Sequence, residues 1–232
     1  MTEQKKAVVL LSGGLDSSTV AYIAAKRDNF KVYPISFLYG QKHFYELDCA
    51  RKVAESLGSV TKVAHVGLKE LVQSALLGTS DIPTEGVQAG KIPSTWVPQR
   101  NAIFLALAFA YAEMVDANFI YGGMNAIDYS GYPDCRPEFL ISMEESLNLA
   151  SKRYVETKVR FELITPLVKM TKVDIIKTGL ELGVPYNLTW SCYTGPNELK
   201  QACGVCDSCR IRLEAFSKLG IKDPIKYVEA KE

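Results

Sequence analysis

The stretch that decides the fold is KKAVVLLSGGLDSSTVAYIAAK, residues 5–26. Its first part, residues 5–12, contains a continuous apolar run at 7–11, which is typical of a strand in a parallel sheet covered on both faces. Two glycines follow directly, and a helical pattern begins near Asp16. The stretch therefore predicts a strand, a tight turn and a helix in immediate succession.

The turn between this strand and this helix has the composition of an anion-binding site. Glycines let backbone N–H groups converge, and the N-terminus of a helix adds about half a positive charge. The residues of the turn are Ser12, Gly13, Gly14, Asp16, Ser17 and Ser18. The hydroxyls are further donors for phosphate oxygens, whereas Asp16 either caps the helix or holds Mg²⁺. The P-loop and dinucleotide patterns are absent, and a plain tight turn with a helix cap is the alternative.

The rest of the chain continues the alternation of strand and helix. Strands are predicted at 31–39, 61–68, 118–123 and 159–167, and helices at 43–58, 101–115, 138–152 and 172–183. This order predicts an α/β fold with a doubly wound, mainly parallel, Rossmann-like sheet in a single domain that spans residues 1–232. Ligands of such sheets bind beyond the carboxyl ends of the strands.

Composition and charge narrow the class of protein. The chain has 232 residues, is 47% hydrophobic and carries a formal net charge of +1, so nothing indicates a nucleic-acid partner. The most apolar stretch, residues 102–112, is too short to cross a membrane, and the N-terminus shows no secretory signal. We therefore expect a cytoplasmic protein.

Four cysteines near the end of the sequence have the spacing of metal ligands. They are Cys192, Cys203, Cys206 and Cys209. Zn²⁺ binds four thiolates tetrahedrally and then has no open position, so we predict one structural Zn²⁺ per chain in a helical segment at 190–212. An Fe–S cluster and unliganded thiols are the alternatives. Arg210 and Arg212 either offset the thiolate charge or reach a substrate or RNA.

The motif SGGLDSS, residues 12–18, resembles the pyrophosphate loop of the N-type ATP pyrophosphatases, which have an adenine nucleotide alpha hydrolase-like fold. These enzymes adenylate a carboxylate, carbonyl or amide oxygen and release pyrophosphate. The resemblance implies that the loop binds ATP with Mg²⁺ and that residues 35–37 border the adenine. The implied ATP-binding residues are Leu11, Ser12, Gly13, Gly14, Leu15, Asp16, Ser17, Ser18, Thr19, Val20 and Ala21. Adenylation needs no electron carrier, which favours zinc over an Fe–S cluster.

Further motifs occur in one order and together resemble the 7-cyano-7-deazaguanine synthase family of queuosine precursor biosynthesis. They are FLYGQKHFYEL (37–47), VPQRNAIFL (97–105), GGMNAIDYSGYPDCRPEF (122–139), TPLVKMTKVDII (165–176) and TWSCY…CGVCDSCRIR (189–212). The resemblance implies that 7-carboxy-7-deazaguanine, ammonia and ATP are converted into a nitrile through an adenylated acid and an adenylated amide. The sequence departs from the family pattern at Gln99, where a glycine is expected.

Three residues are implied to be catalytic: Asp16, Arg100 and Lys172. Arg100 would grip the substrate carboxylate or a phosphate with its planar fork, and its alternative role is a surface ion pair. Lys172 would neutralise phosphate charge as pyrophosphate leaves, and its alternative role is that of a solvated lysine at a helix start.

The stretch 122–139 is implied to bind the base. Asp128 or Asp134 would accept hydrogen bonds from the ring N–H and the amino group of the deazaguanine, since one carboxylate accepts two parallel donors. Tyr132 or Tyr129 would stack on the ring. The alternative is turn chemistry, because SGYPD forms turns readily.

A different function remains open on the same loop. A tRNA-modifying thiolation enzyme would use Cys135 as sulfur carrier, but it would need a basic RNA-binding face, which the near-zero net charge does not support. A nucleotide-binding module without catalysis would leave the stretch 122–139 unexplained. The resemblance also favours a homodimer, with ammonia arriving free.

Overall fold

The computed structural model describes residues 4–41, 44–78, 92–125 and 132–229. Asp128 and Tyr129 lie outside these ranges, as does His43, which its place after the second strand predicts to line the nucleotide pocket. Within them the chain forms one five-stranded parallel sheet in the order β3-β2-β1-β4-β5. The strands are β1 (Lys6–Leu10), β2 (Lys31–Leu38), β3 (Lys62–His65), β4 (Phe119–Tyr121) and β5 (Glu162–Ile164). The predicted parallel α/β sheet is confirmed.

Strand β1 lies in the middle of the sheet and pairs with β2 on one side and β4 on the other. The chain runs outward from β1 through β2 to β3, and then continues on the opposite side with β4 and β5. The order therefore reverses between β1 and β4, which is the topological switch point where parallel α/β sheets bind ligands.

Seven α-helices are described along these ranges. They are α1 (Leu15–Tyr22), α2 (Tyr45–Ser56), α3 (Arg100–Val115), α4 (Pro137–Leu149), α5 (Lys152–Thr157), α6 (Lys172–Leu182) and α7 (Asp207–Lys218). Helix α1 continues into a wider π-type segment, Ile23–Arg27.

Both faces of the sheet are covered by helices, because the side chains of β1 alternate between two apolar clusters. Ala7 and Val9 pack with the buried residues of α1, α2, α6 and α7. Val8 packs on the opposite face with those of α3. This alternation explains why three successive residues of the strand, Ala7, Val8 and Val9, are all apolar and buried. The division into a single domain, 1–232, with the cysteine segment 190–212 inside it, stays a prediction.

Two local features differ from expectation. Pro34 indicates a strand start or an edge, yet β2 is an interior strand. Pro34 is the partner of Val9 in β1, but pairing of β2 with β3 begins only at Ile35. The missing N–H of Pro34 therefore costs the sheet no hydrogen bond to β3. Helix α5 is not predicted from the sequence at all, and the structure describes no buried residue in it.

Candidate active site

The predicted anion loop connects β1 to α1 and is held by its own hydroxyls. Ser12 and Ser17 share a hydrogen bond of 2.9 Å between their Oγ atoms. The Ser12 backbone N–H also donates to Ser17 Oγ, and that of Gly14 donates to Ser12 Oγ. The N-cap of α1 is Gly14, which has no side chain to accept a hydrogen bond from the N–H groups of the first turn. The first N–H groups of a helix lack partners within the helix, so this end of α1 is suited to an anion.

Asp16 is bound by a lysine that lies 156 residues further along the chain. Lys172 Nζ lies 2.7 and 2.6 Å from the two carboxylate oxygens of Asp16. Asn125, which is fully buried, donates to Asp16 Oδ2 at 3.1 Å. Lys172 begins α6, where Thr171 forms a capping box with Asp174. Two of the three residues implied to be catalytic are therefore in direct contact.

A cavity opens beside this loop, at the carboxyl ends of β1, β2 and β4. Its lining includes residues from the loop, the strand ends, α2, α3 and the segment before α4: Leu11, Ser12, Asp16, Ser17, Phe37, Tyr39, Glu46, Arg100, Asn101, Gly123, Met124 and Cys135. Phe37 stacks on Phe104 with ring centroids 4.0 Å apart. The cavity thus lies at the switch point and brings Asp16 and Arg100 to one space.

Arg100 begins α3, next to a residue with strained backbone. Gln99, where the family resemblance leads us to expect glycine, has φ 58° in the left-handed region. Burial raises the pKa of the Tyr39 hydroxyl, and the charge of Arg100 nearby lowers it in part. Burial alone would lower the pKa of Arg100, but the groups around it, Tyr39 first, raise that pKa above its ordinary value. The guanidinium is therefore a permanent positive charge in the cavity.

Glu46 is a cavity residue that the sequence analysis does not single out. It lies in the first turn of α2, and burial raises the pKa of its carboxyl to about 7, although Arg100 nearby lowers it in part. Its backbone contacts the anion loop, since a Cβ placed on Gly13 would lie 2.2 Å from the Glu46 carbonyl oxygen. Glu46 lies inside the motif FLYGQKHFYEL (37–47), but its place in an amphipathic helix gives no reason to separate it from its neighbours.

Asp134 and Tyr132, two of the implied base-binding residues, lie beside α3. Asp134 Oδ2 accepts a hydrogen bond of 2.9 Å from the Asn101 backbone N–H and so caps this helix. Its other oxygen, Oδ1, is buried and has no hydrogen-bond partner among the described residues. The hydroxyl of Tyr132 lies 2.8 Å from that of Thr95. The role of Asp134 in base binding stays a prediction, as does that of Asp128, which lies outside the described residues.

The implied ATP-binding set divides into residues at the cavity and residues in the core. Leu11, Ser12, Asp16 and Ser17 line the cavity. Thr19, Val20 and Ala21 are fully buried within α1. Thr19 Oγ1 lies 2.8 Å from the Tyr186 hydroxyl. This contact joins α1 to the segment after α6 and does not face the cavity.

The four clustered cysteines meet in space as a metal site requires. The sulfur atoms of Cys192, Cys203, Cys206 and Cys209 all lie within 4.8 Å of one another. The backbone N–H groups of Cys203 and Cys206 donate to the sulfurs of Cys192 and Cys203. Cys206 is the N-cap of α7, where the helix dipole favours negative charge. The site can hold a metal ion.

This cysteine site is joined to the anion loop by a short backbone connection. The Trp190 backbone N–H donates to the Gly13 carbonyl at 2.9 Å, and the Trp190 indole N–H donates to the Cys192 carbonyl at 3.1 Å. Tyr45 packs edge-on against the Trp190 ring at 4.9 Å. One residue therefore contacts both the cysteine site and the anion loop.

Arg212 differs from its expected place near the thiolates. Its side chain is 2% exposed and forms two hydrogen bonds to the Asp223 carboxylate, at 2.7 and 2.9 Å. It also donates to Thr189 Oγ1 at 2.8 Å and to the Tyr186 carbonyl at 3.1 Å. The structure thus gives it a buried structural contact rather than a substrate or RNA contact.

The strand order, the anion loop and the cavity at the switch point define an α/β protein with an adenine nucleotide alpha hydrolase-like fold. An NMN synthetase structure from Francisella tularensis is similar in fold, with a TM-score of 0.50 and 18% sequence identity, and covers 98% of this chain and 80% of that chain. None of the described helices has the length and apolar character needed to span a membrane.

Comparison of sequences identifies the family. Residues 6–220 match the model of the family described as "Queuosine biosynthesis protein QueC". A 7-cyano-7-deazaguanine synthase of Ralstonia pickettii is 49% identical over 227 residues, covering 97% of this chain and 100% of the relative. One of Citrifermentans bemidjiense is 50% identical over 225 residues, covering 97% and 98%. The chain belongs to the QueC family, as the sequence motifs predict.

Proposed function

We propose that the protein is a ligase that converts 7-carboxy-7-deazaguanine, ammonia and ATP into 7-cyano-7-deazaguanine in queuosine biosynthesis. The observation that carries this proposal is the identity of about half of all residues, over nearly the whole of both chains, with relatives named 7-cyano-7-deazaguanine synthase. The thiolation alternative has no such support.

The reaction needs two activations of the same carbon. A carboxylate does not condense with ammonia, because its carbon is a poor electrophile and hydroxide a poor leaving group. Adenylation of the acid oxygen releases pyrophosphate and creates a leaving group, so that ammonia forms the amide and AMP departs. Adenylation of the amide oxygen and a second loss of AMP then leave the nitrile.

The loop and Lys172 fit the handling of the triphosphate. Ser12, Ser17 and the N-terminal amides of α1 are donors for the β- and γ-phosphates. Mg²⁺, when bound, neutralises triphosphate charge, and Asp16 is the cavity carboxylate that would hold it. Lys172, which is already within hydrogen-bond distance of Asp16, would then face the departing pyrophosphate.

Arg100 fits the handling of the acid. Its guanidinium lines the same cavity as Ser12 and Asp16, so a carboxylate gripped by it would lie in the space that the nucleotide shares. Tyr132 and Asp134, which lie beside Arg100, are proposed to contact the base together with Asp128.

We further propose that the four cysteines hold one structural Zn²⁺. Four sulfurs around one ion at about 2.3 Å are about 3.8 Å apart, and the sulfurs of Cys203 and Cys209 lie 3.9 Å apart. In a four-iron cluster each cysteine binds a different iron, which spaces the sulfurs more widely. Reduced thiolates also suit the cytoplasm. The homodimer stays a prediction, which sedimentation would check.

The function is tested by mixing the purified protein with ATP, Mg²⁺, ammonium and 7-carboxy-7-deazaguanine and following the products by mass spectrometry. We expect the nitrile, AMP and pyrophosphate. Asp16→Asn should lower product formation at least tenfold because it removes the carboxylate beside the phosphates. Asp48→Asn changes an exposed carboxylate on α2 and should leave the rate unchanged. Absence of nucleotide turnover in the unaltered protein would reject the function.

A further inference from the structure

The cavity contains a carboxylate that none of the proposed steps uses. Its two acidic lining residues are Asp16 and Glu46. Asp16 is bound by Lys172 and Asn125. Glu46, in contrast, forms no ion pair within the described ranges of the chain. Burial raises the pKa of this carboxyl, and the charge of Arg100 nearby offsets that effect only in part.

The backbone of Glu46 fixes where this carboxylate is anchored. Its carbonyl oxygen packs against Gly13, so the N-terminal end of α2 is in contact with the anion loop. The charge of Arg100 is close enough to act on the Glu46 carboxyl. Glu46 is therefore near both the place proposed for the phosphates and the group proposed to grip the acid.

The charges of the substrates indicate what such a carboxylate binds. ATP and the carboxylate of 7-carboxy-7-deazaguanine are anions, which Glu46 would repel. Two cations enter the reaction, Mg²⁺ and ammonium. Asp16 is placed for the metal at the loop, and Asp134 and Asp128 are proposed for the base. Ammonium is the remaining cation, and a carboxylate accepts its N–H bonds strongly.

We propose that Glu46 is the ammonium-binding residue of this active site and holds the nitrogen next to the adenylated carbon. The assignment rests on the proposed function and names a residue for its least defined substrate. Ammonium has no lone pair, so Glu46 accepts one of its protons. The ammonia formed attacks the adenylated carbon, the C–O bond to AMP breaks, and the surplus proton leaves with AMP. A nitrogen bound and oriented in this way gives the attack an effective concentration that free ammonia lacks. The same site would serve the amide-forming step alone, since the second round adds no nitrogen.

The experiment separates ammonium binding from adenylation. Glu46→Gln keeps the size of the side chain and removes the charge, and Glu46→Asp keeps the charge on a shorter stem. The KM for ammonium is measured at saturating ATP and acid. ATP–pyrophosphate exchange with the acid is measured without ammonium. The control is Glu55→Gln, which changes an exposed glutamate on the same helix.

We expect Glu46→Gln to raise the KM for ammonium about tenfold or more, because a charge-assisted contact is lost. The ATP–pyrophosphate exchange rate should stay within about twofold. Glu46→Asp should lie between this variant and the unaltered protein, and Glu55→Gln should match the latter. Thermal unfolding checks that each variant is folded.

Two results would overturn the assignment alone: an unchanged KM for ammonium in Glu46→Gln, or an exchange rate that falls in parallel with nitrile formation, which would give Glu46 to the metal or the nucleotide. Failure of the unaltered protein to form the nitrile would instead overturn the proposed function and this assignment with it. The exchange assay tells the two failures apart.

Discussion

At the scale of single residues, Gly13 is the most constrained position of the anion loop. Its φ is +86°, a conformation that L side chains rarely adopt. A Cβ there would lie 2.2 Å from the Glu46 carbonyl oxygen and 2.6 Å from the Ala50 backbone nitrogen. Both atoms are backbone of α2, so neither can yield without moving that helix. The loop and α2 are thus fitted to one another by the absence of a side chain.

We predict that Gly13→Ala destabilises the protein by about 3 kcal/mol or more, whereas Gly58→Ala costs about 1 kcal/mol. Gly58 also has positive φ, at +67°, but nothing lies within 4 Å of its Cβ position. The pair therefore separates backbone strain from steric overlap. Free energies of unfolding in urea give both values, and equal losses at the two glycines would contradict the close contact with α2.

The residues of the site were predictable from the sequence only where a motif names them. Ser12, Asp16 and Arg100 stand in recognisable motifs, and the structure places them at one cavity. Asn125 lies in a quoted motif, but its contact with Asp16 depends on strand order. The position of Arg212 could not be predicted either. Its partner Asp223 lies in an irregular segment that no periodicity marks.

At the scale of elements, the cysteine segment acts on the loop through Trp190. Its N–H bond to Gly13 holds the turn from one side while α2 packs on the other. A metal held by the four cysteines would order the chain around Cys192, whose carbonyl accepts the Trp190 indole N–H. Metal binding and nucleotide binding should therefore be coupled through this residue.

We predict that Cys206→Ser loses the bound metal and weakens nucleotide binding by roughly threefold to tenfold, the worth of about one hydrogen bond. Calorimetry with a non-hydrolysable ATP analogue measures the affinity, and elemental mass spectrometry measures the metal. Cys49→Ala is the control, because Cys49 is buried close to Gly13 but is no member of the metal cluster. A metal-free variant that binds nucleotide as tightly as the unaltered protein would contradict the coupling.

Elements with a buried face or a strong cap were predictable, and those without were not. Helix α6 is predicted at 172–183 and observed at Lys172–Leu182, because it has a capping box at Thr171 and ends at Gly183 with φ 76°. Helix α5 was missed since it has no buried residue among those described, and hence no hydrophobic period for sequence analysis to detect.

At the scale of the whole molecule, the alternation of strands and helices was sufficient for the α/β class but not for the strand order. The order β3-β2-β1-β4-β5 depends on which strand pairs with β1, and local pattern holds no information on that choice. This order creates the switch point at which Leu11, Phe37 and Gly123 meet.

We predict that the buried Arg212–Asp223 pair holds the C-terminal part of the fold. Arg212→Met should lower the free energy of unfolding by roughly 3–5 kcal/mol, because it leaves the Asp223 carboxylate buried without its counter-charge. The double variant with Asp223→Asn should lose less than the sum of the single variants. Urea unfolding measures all three.

The matched control is Lys218→Met, which breaks an exposed pair with Glu214 on the same helix. Its cost should be at most about 0.5 kcal/mol. A loss in Arg212→Met as small as that of the control would show that the buried pair contributes no more than a surface pair.

The distance of this pair along the chain has a consequence for synthesis. Arg212 leaves the ribosome eleven residues before Asp223, and the sheet and the loop are both encoded earlier. A growing chain therefore carries a guanidinium that it cannot bury until its counter-charge has emerged. The sheet and the anion loop can therefore assemble first, and the cysteine segment packs against them once Asp223 has emerged.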